Sequence, residues 1–221
     1  MLPTKYRKIL AAAPRECVGQ GENVGAMFCV SQNRETVPNP SPTGGEDERC
    51  GRSLCCPPMK DIIANILKQE AGAILAIPAD NPYKQVVALM HRTGKKNGKV
   101  VVSGVGKAGD IGRKIVSTFN STGVSSIFLS PLDARHGDLG VIGPHDMLFL
   151  ISNSGKTTEI TELIALARNM YPRVMVVCLT GNPKGPLALN ADYVLKTGNP
   201  QEVCPLGLAP TTAAIVMLAI A

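Results

Sequence analysis

The sequence predicts an α/β fold, a doubly wound five-stranded parallel sheet with helices on both faces, preceded by a leader of low order. Three observations carry that expectation. Short, continuously apolar runs recur after about residue 98, and segments with helical spacing separate them. Glycine- and hydroxyl-rich turns follow the apolar runs, at the strand ends where sheets of this kind bind ligands.

The elements follow in order. Residues 1–58 hold Pro38, Pro40 and Pro42 in alternation, then Gly44-Gly45 and Pro57-Pro58. No apolar period is sustained there, so the stretch reads as a leader without a packed core, or as a stretch upstream of a start at Met59. A single domain is expected over 59–221. Within it Ile62, Ile63, Ile66, Leu67, Ala71, Ile74 and Leu75 recur at helical spacing, and Val86, Val87, Leu89 and Met90 mark a second helix after Pro82. Residues 99–103 read as a strand and 109–121 as the helix behind it. Strands are expected at 126–129 and 147–151, a helix at 157–170, and further strands at 174–179 and 193–195. Residues 211–221 are an apolar helical segment without a C-cap, expected to be truncated or buried in an oligomer interface.

Composition narrows the function. A chain of 221 residues with 44% hydrophobic content can bury the core of one or two domains. Aromatics are 4% and Trp is absent, against stacking platforms for single-stranded nucleic acid. The formal net charge of +6 comes from scattered lysines and arginines, which suits anionic metabolites better than nucleic acid. No apolar run reaches the roughly 18 residues of a membrane span, and the 9–13 patch is too short for a secretion signal. Cys17, Cys29, Cys50, Cys55 and Cys56 form no C-x-x-C pair and have no neighbouring histidine, so no metal site is expected. The thiols read as reduced, the location as cytoplasmic, and Cys178 as a small buried hydrophobe.

The turn after strand 147–151 is the strongest local signal. Ser152-Asn153-Ser154-Gly155-Lys156-Thr157 joins an apolar strand to a helix. A helix N-terminus leaves N–H groups unpaired and attracts anions. Ser152, Ser154 and Thr157 add hydroxyl donors, and Gly155 allows close backbone approach. The loop reads as a phosphate cradle rather than as simple N-capping. A nucleotide P-loop would need glycine at position 150, where this chain has Leu150.

A second turn, Gly104-Val105-Gly106-Lys107-Ala108-Gly109, matches G-x-G-x-x-G between strand and helix. A dinucleotide site would also need an acid ending the next strand, but that strand ends Phe128-Leu129-Ser130, short of Asp133. A phosphosugar turn is favoured, with Lys107 facing ligand oxygens; glycines that merely allow tight strand–helix packing are the structural alternative. His136, flanked by glycine and acids, differs from His91 in a helix and His145 beside Pro144. Glu202 precedes a stiff loop with prolines at 205 and 210, where Thr211 or Thr212 can cap the next helix. Its bland alternative is a solvated surface acid.

Taken together, Gly98-Lys99-Val100-Val101-Val102, Gly104-Val105-Gly106-Lys107, Ile111-Gly112-Arg113-Lys114, His136-Gly137-Asp138-Leu139-Gly140, Ser152-Asn153-Ser154-Gly155, Thr180-Gly181-Asn182-Pro183 and the stretch from Glu202 to Thr211 resemble the isomerase domain of arabinose 5-phosphate isomerases, a branch of the sugar isomerase (SIS) proteins. The resemblance implies an SIS fold, a tetrameric habit, and interconversion of D-ribulose 5-phosphate and D-arabinose 5-phosphate without a cofactor. It implies that Lys107, Glu159, Glu202 and His136 line the active site, with Gly104, Gly106, Ser152, Asn153, Ser154, Gly155 and Thr157 on the phosphosugar. A non-catalytic phosphosugar-binding module is the alternative. The family has serine where this chain has Ala108, and Glu at the position of Asp133. It also continues into a His-Pro-Gly-Gly segment and CBS domains beyond the point where this chain stops at Ala221.

Overall fold

The computed structural model describes residues 58–204, 207 and 209–221. Residues 1–57 of the expected 1–58 leader, with its five cysteines, and Pro205 lie outside them. The chain divides into two compact units, one of Met1–Lys68 with Cys204–Leu208, the other of Gln69–Val203 with Ala209–Ala221. Helix α1, Met59–Leu75, begins in the first and ends in the second.

The larger unit continues through α2 (Tyr83–Lys95), β1 (Val100–Gly104), α3 (Lys107–Ser121), β2 (Ser126–Phe128), α4 (Pro131–Ala134) and a 3-10 turn (Asp138–Val141). Then come β3 (Met147–Ile151), α5 (Thr158–Met170), β4 (Met175–Thr180), α6 (Pro186–Leu189), β5 (Tyr193–Lys196) and α7 (Thr212–Ile220). The five strands pair in the order β2-β1-β3-β4-β5, every neighbour parallel. The expected doubly wound sheet is therefore present. The two short helices α4 and α6 are additions that the apolar pattern does not reveal.

Alternate residues of each strand face opposite sides, and two cores result. Val101, Leu148, Leu150, Val176 and Cys178 pack with Ile160, Leu163, Ile164 and Ala167 of α5. On the other side Val100, Val102, Met147, Phe149 and Val177 pack with Val86 and Leu89 of α2, Ile111, Ile115 and Phe119 of α3, and Met217 of α7. β1 and β3 are buried along their whole length, which is why both read as unbroken apolar runs.

Polar side chains fix the strands where the apolar contacts cannot. Asp146, just before β3, accepts the Lys99 N–H at 2.9 Å, the Lys99 ammonium at 2.7 Å and the Gly143 N–H at 2.7 Å, tying the starts of β1 and β3 together. Asp192 does the same one step along, accepting the Val176 N–H at 2.7 Å. On each edge strand an asparagine amide pairs both backbone groups of one residue, as a neighbouring strand would. On β2, Asn120 accepts from the Ser126 N–H at 2.8 Å and donates to its C=O at 3.0 Å. On β5, Asn81 meets both backbone groups of Lys196, at 2.7 and 3.0 Å.

The G-x-G-x-x-G turn shows close strand–helix approach. A Cβ on Gly104 would lie 2.7 Å from the Ala108 carbonyl oxygen, and one on Gly109 would lie 2.8 Å from that of Gly104. Backbone cannot yield to such contacts, so α3 sits against β1 only because both positions lack side chains.

Asp146→Ala leaves three donors at a strand start without their acceptor, and is expected to cost about 2–4 kcal/mol in urea denaturation. Burial raises the Cys178 thiol from 9.0 to about 12. A raised folded-state value means the neutral thiol stabilises the fold fully below the unfolded value, and that contribution fades as pH climbs toward 12. Stability between about pH 9 and 11 should therefore fall more steeply in the wild type than in Cys178→Ala, measured by denaturation across that range.

Candidate active site

β1 and β3 are neighbours, yet the helices that follow them cover opposite faces: α3 belongs to one core and α5 to the other. Chains that turn away in opposite directions leave a crevice at the carboxyl ends of the two strands. A cleft of about 640 Å³ occupies it. One wall is Val105 from the β1–α3 turn and Ala108 in the first turn of α3; the other is Ile151 at the end of β3 with Ser152, Asn153, Ser154, Lys156 and Thr157 from the β3–α5 loop. Gly181 and Asn182 after β4, and Asn199 after β5, complete it.

The loop is shaped for an anion rather than closed on itself. Thr157 is the N-cap of α5, but its side chain makes no capping hydrogen bond. Its Oγ1 lies instead 2.7 Å from Ser152 Oγ. The first-turn N–H groups of α5 have no intrahelical acceptor, so this uncapped end keeps its donors and its partial positive charge. α3 also starts without a side-chain cap, at Gly106. Two open helix N-termini thus adjoin one cleft.

Neighbouring turns hold the loop in place. The Gly155 N–H donates to the Ser152 carbonyl at 3.1 Å and the Lys156 N–H to Ser154 Oγ at 3.2 Å. Gly155 has φ of +63°, and a Cβ there would also crowd Thr180 Oγ1 at 3.1 Å and the Asn182 carbonyl oxygen at 3.2 Å. Glycine is needed for both reasons. From behind, Asn182 Nδ2 donates to the Ser154 carbonyl at 3.0 Å and the Leu187 N–H to that of Gly155 at 3.0 Å. Asn153 Oδ1 is buried and has no hydrogen-bond partner among the described residues.

The structure brings Ser152, Asn153, Ser154 and Thr157 together on the cleft wall, with Gly155 buried beneath them. Gly104 packs against α3, and Gly106 forms the turn between. The four candidate catalytic residues stand at the same end of the sheet, but none lines the cleft among the described residues. Lys107 is the exposed first residue of α3, and Glu159 is half-buried in the first turn of α5. His136 is exposed just beyond α4, its N–H donating to the Asp133 carbonyl at 2.8 Å.

Glu202 is no solvated surface acid. Its Oε2 accepts the N–H groups of Thr211 at 2.7 Å, Thr212 at 2.8 Å and Ala213 at 3.4 Å, and the Thr211 hydroxyl at 3.1 Å. The carboxylate caps α7 from outside the helix, the task the sequence suggests for Thr211 or Thr212. Lys156, Asn182 and Asn199 are cleft residues that the sequence alone does not single out. The signal for Asn182 is there: Thr-Gly-Asn-Pro ends an apolar run, and Asn182 Oδ1 accepts the Lys184 N–H at 3.2 Å in a side-chain-built turn.

The SIS domain family matches residues 95–221. The chain belongs to the SIS-domain family. Among curated relatives, arabinose 5-phosphate isomerase KdsD of Salmonella typhi is 50% identical over 123 residues, covering 54% of this chain and 37% of the relative. The chain thus spans little more than a third of that relative's length. Among solved structures, a capsule-associated Bacteroides fragilis protein assigned as a phosphosugar isomerase is 49% identical, with a TM-score of 0.72 over 74% of this chain and 85% of that one. An Escherichia coli CFT073 protein solved in complex with arabinose 5-phosphate is 34% identical, with a TM-score of 0.64 over 72% and 84%.

In this SIS domain Glu202→Ala removes an acceptor shared by the first turn of α7, and is expected to cost about 1–2 kcal/mol. Glu159→Ala should change stability by less than about 0.5 kcal/mol, both read by urea denaturation.

Proposed function

We propose that this chain is a sugar-phosphate isomerase interconverting D-ribulose 5-phosphate and D-arabinose 5-phosphate through an enediolate. The observation that carries the reading is the uncapped start of α5, ringed by Ser152, Ser154 and Thr157 at the strand-order reversal. The similarity to a KdsD isomerase and to a protein solved with arabinose 5-phosphate supports the choice of sugar phosphate.

The reaction moves a proton between adjacent carbons, from C1 of the ketose to C2 of the aldose. It needs a base, and a donor for the oxygen that gains charge. Glu159 and Glu202 are the candidate base and acid, Lys107 the contact to the oxyanion or a hydroxyl, and His136 the help in ring opening or proton shuttling. Fixing the phosphate several bonds away orients the reacting carbons, so binding energy remote from the chemistry lowers the barrier. A homotetramer in the cytoplasm is the expected habit. Ile215 and Leu218 of α7, 39% and 44% exposed, are side chains such an assembly would cover.

One observation favours a second reading, a phosphosugar-binding module without turnover: the candidate catalytic side chains stand outside the cleft, and Glu202 Oε2 is already engaged. Incubation with arabinose 5-phosphate in deuterated water separates the two. Deuterium at C2, seen by NMR, is expected, with a loss of about 100-fold or more in Glu202→Gln. Binding without exchange establishes the module instead, and undiminished exchange in a folded Glu202→Gln removes that residue from the chemistry.

A further inference from the structure

Among the described residues that line the cleft, Lys156 alone carries a charge. The others are apolar, hydroxyl-bearing, amide-bearing or glycine, and no carboxylate stands among them. Its backbone N–H is anchored on Ser154 Oγ at 3.2 Å, so the residue is fixed at its base. Its side chain is exposed and enters none of the ion pairs formed by other lysines, such as Lys99 with Asp146 and Lys196 with Asp80. The ammonium is therefore uncommitted within the described residues, on a residue that stands between Ser154 and the N-cap Thr157 of α5.

We propose that Lys156 is the specificity-determining cation of the cleft, selecting a doubly charged phosphate ester over a neutral sugar of the same shape. The inference rests on the phosphosugar reading above and adds to it the source of charge discrimination. Hydroxyl and amide donors hydrogen-bond to neutral and charged oxygens alike, whereas a formal charge separates a dianion from an uncharged sugar. Lysine suits the task as a compact point charge on a flexible stem. Because the side chain is solvated, its contribution is modest and falls with ionic strength. A phosphate ester loses its second charge near pH 6, so the advantage shrinks below that pH.

Calorimetric titration of the full chain with arabinose 5-phosphate and with arabinose tests this, at low and high salt. Lys156→Gln is expected to weaken arabinose 5-phosphate binding about fivefold at low salt, with the difference vanishing near molar salt. Lys156→Arg should restore most of the affinity and the salt slope, while Lys156→Glu weakens binding further. Equal affinity of wild type and Lys156→Gln at low salt overturns the inference and leaves the phosphosugar reading standing. So does a weakened variant with the wild-type salt slope, since that outcome reports a damaged loop. A folded wild type that binds neither ligand overturns both.

Discussion

The reversal of strand order between β1 and β3 is the constraint on which the rest depends. Two adjacent parallel strands send their helices to opposite faces, and the space between the departing turns cannot be filled by either. Packing sets the crevice from both sides: the aliphatic cores on the two faces, and the side-chain-free contact of Gly104 with Gly109 that lets α3 start close to the strand. Asp146 fixes the other end of the same strand pair, so the register that sets the cleft walls is held from below.

The crevice is also where the fold leaves its backbone polarity unspent. At α4 and α7 a neighbouring side chain closes the helix end, Ser130 at the first and Glu202 at the second. At α5 the hydroxyl that could close the helix is turned toward Ser152. A stable protein tolerates such an open end because water satisfies it, and a ligand with several acceptor oxygens can replace that water. The same helix-end chemistry explains why Glu202, which the sequence offers as a free acid, is drawn to α7. A carboxylate near an uncapped N-terminus is attracted to it whatever other role it has.

Much of this is legible in the sequence. β1 and β3 are buried on both faces and therefore read as unbroken apolar runs, and the apolar run of β3 matches Met147–Ile151 to the residue. α3 begins at Lys107, earlier than residue 109, because the positive φ of Gly106 completes the turn sooner than glycine content suggests. α4 and α6 stay hidden because four residues are too few to show a period. In the cleft, the hydroxyls of 152–157 are legible because they are consecutive. Lys156 stands in the same stretch, where its neighbours Gly155 and Thr157 point first to the nucleotide loop. Asn182 and Asn199 come from other strands, and only the sheet order brings them to the wall. Glu202 shows the opposite case, a conspicuous residue whose hydrogen bonds can be known only once α7 is in place.

Backbone amide shifts on titration with arabinose 5-phosphate test the central claim most directly, that an anionic ester docks at the open end of α5 in the β1–β3 crevice. The account predicts that the large shifts in a nitrogen–proton correlation spectrum fall on Ser154, Gly155, Thr158, Glu159 and Gly181, and saturate together. Saturating shifts confined to another surface, with these amides unmoved, would contradict it.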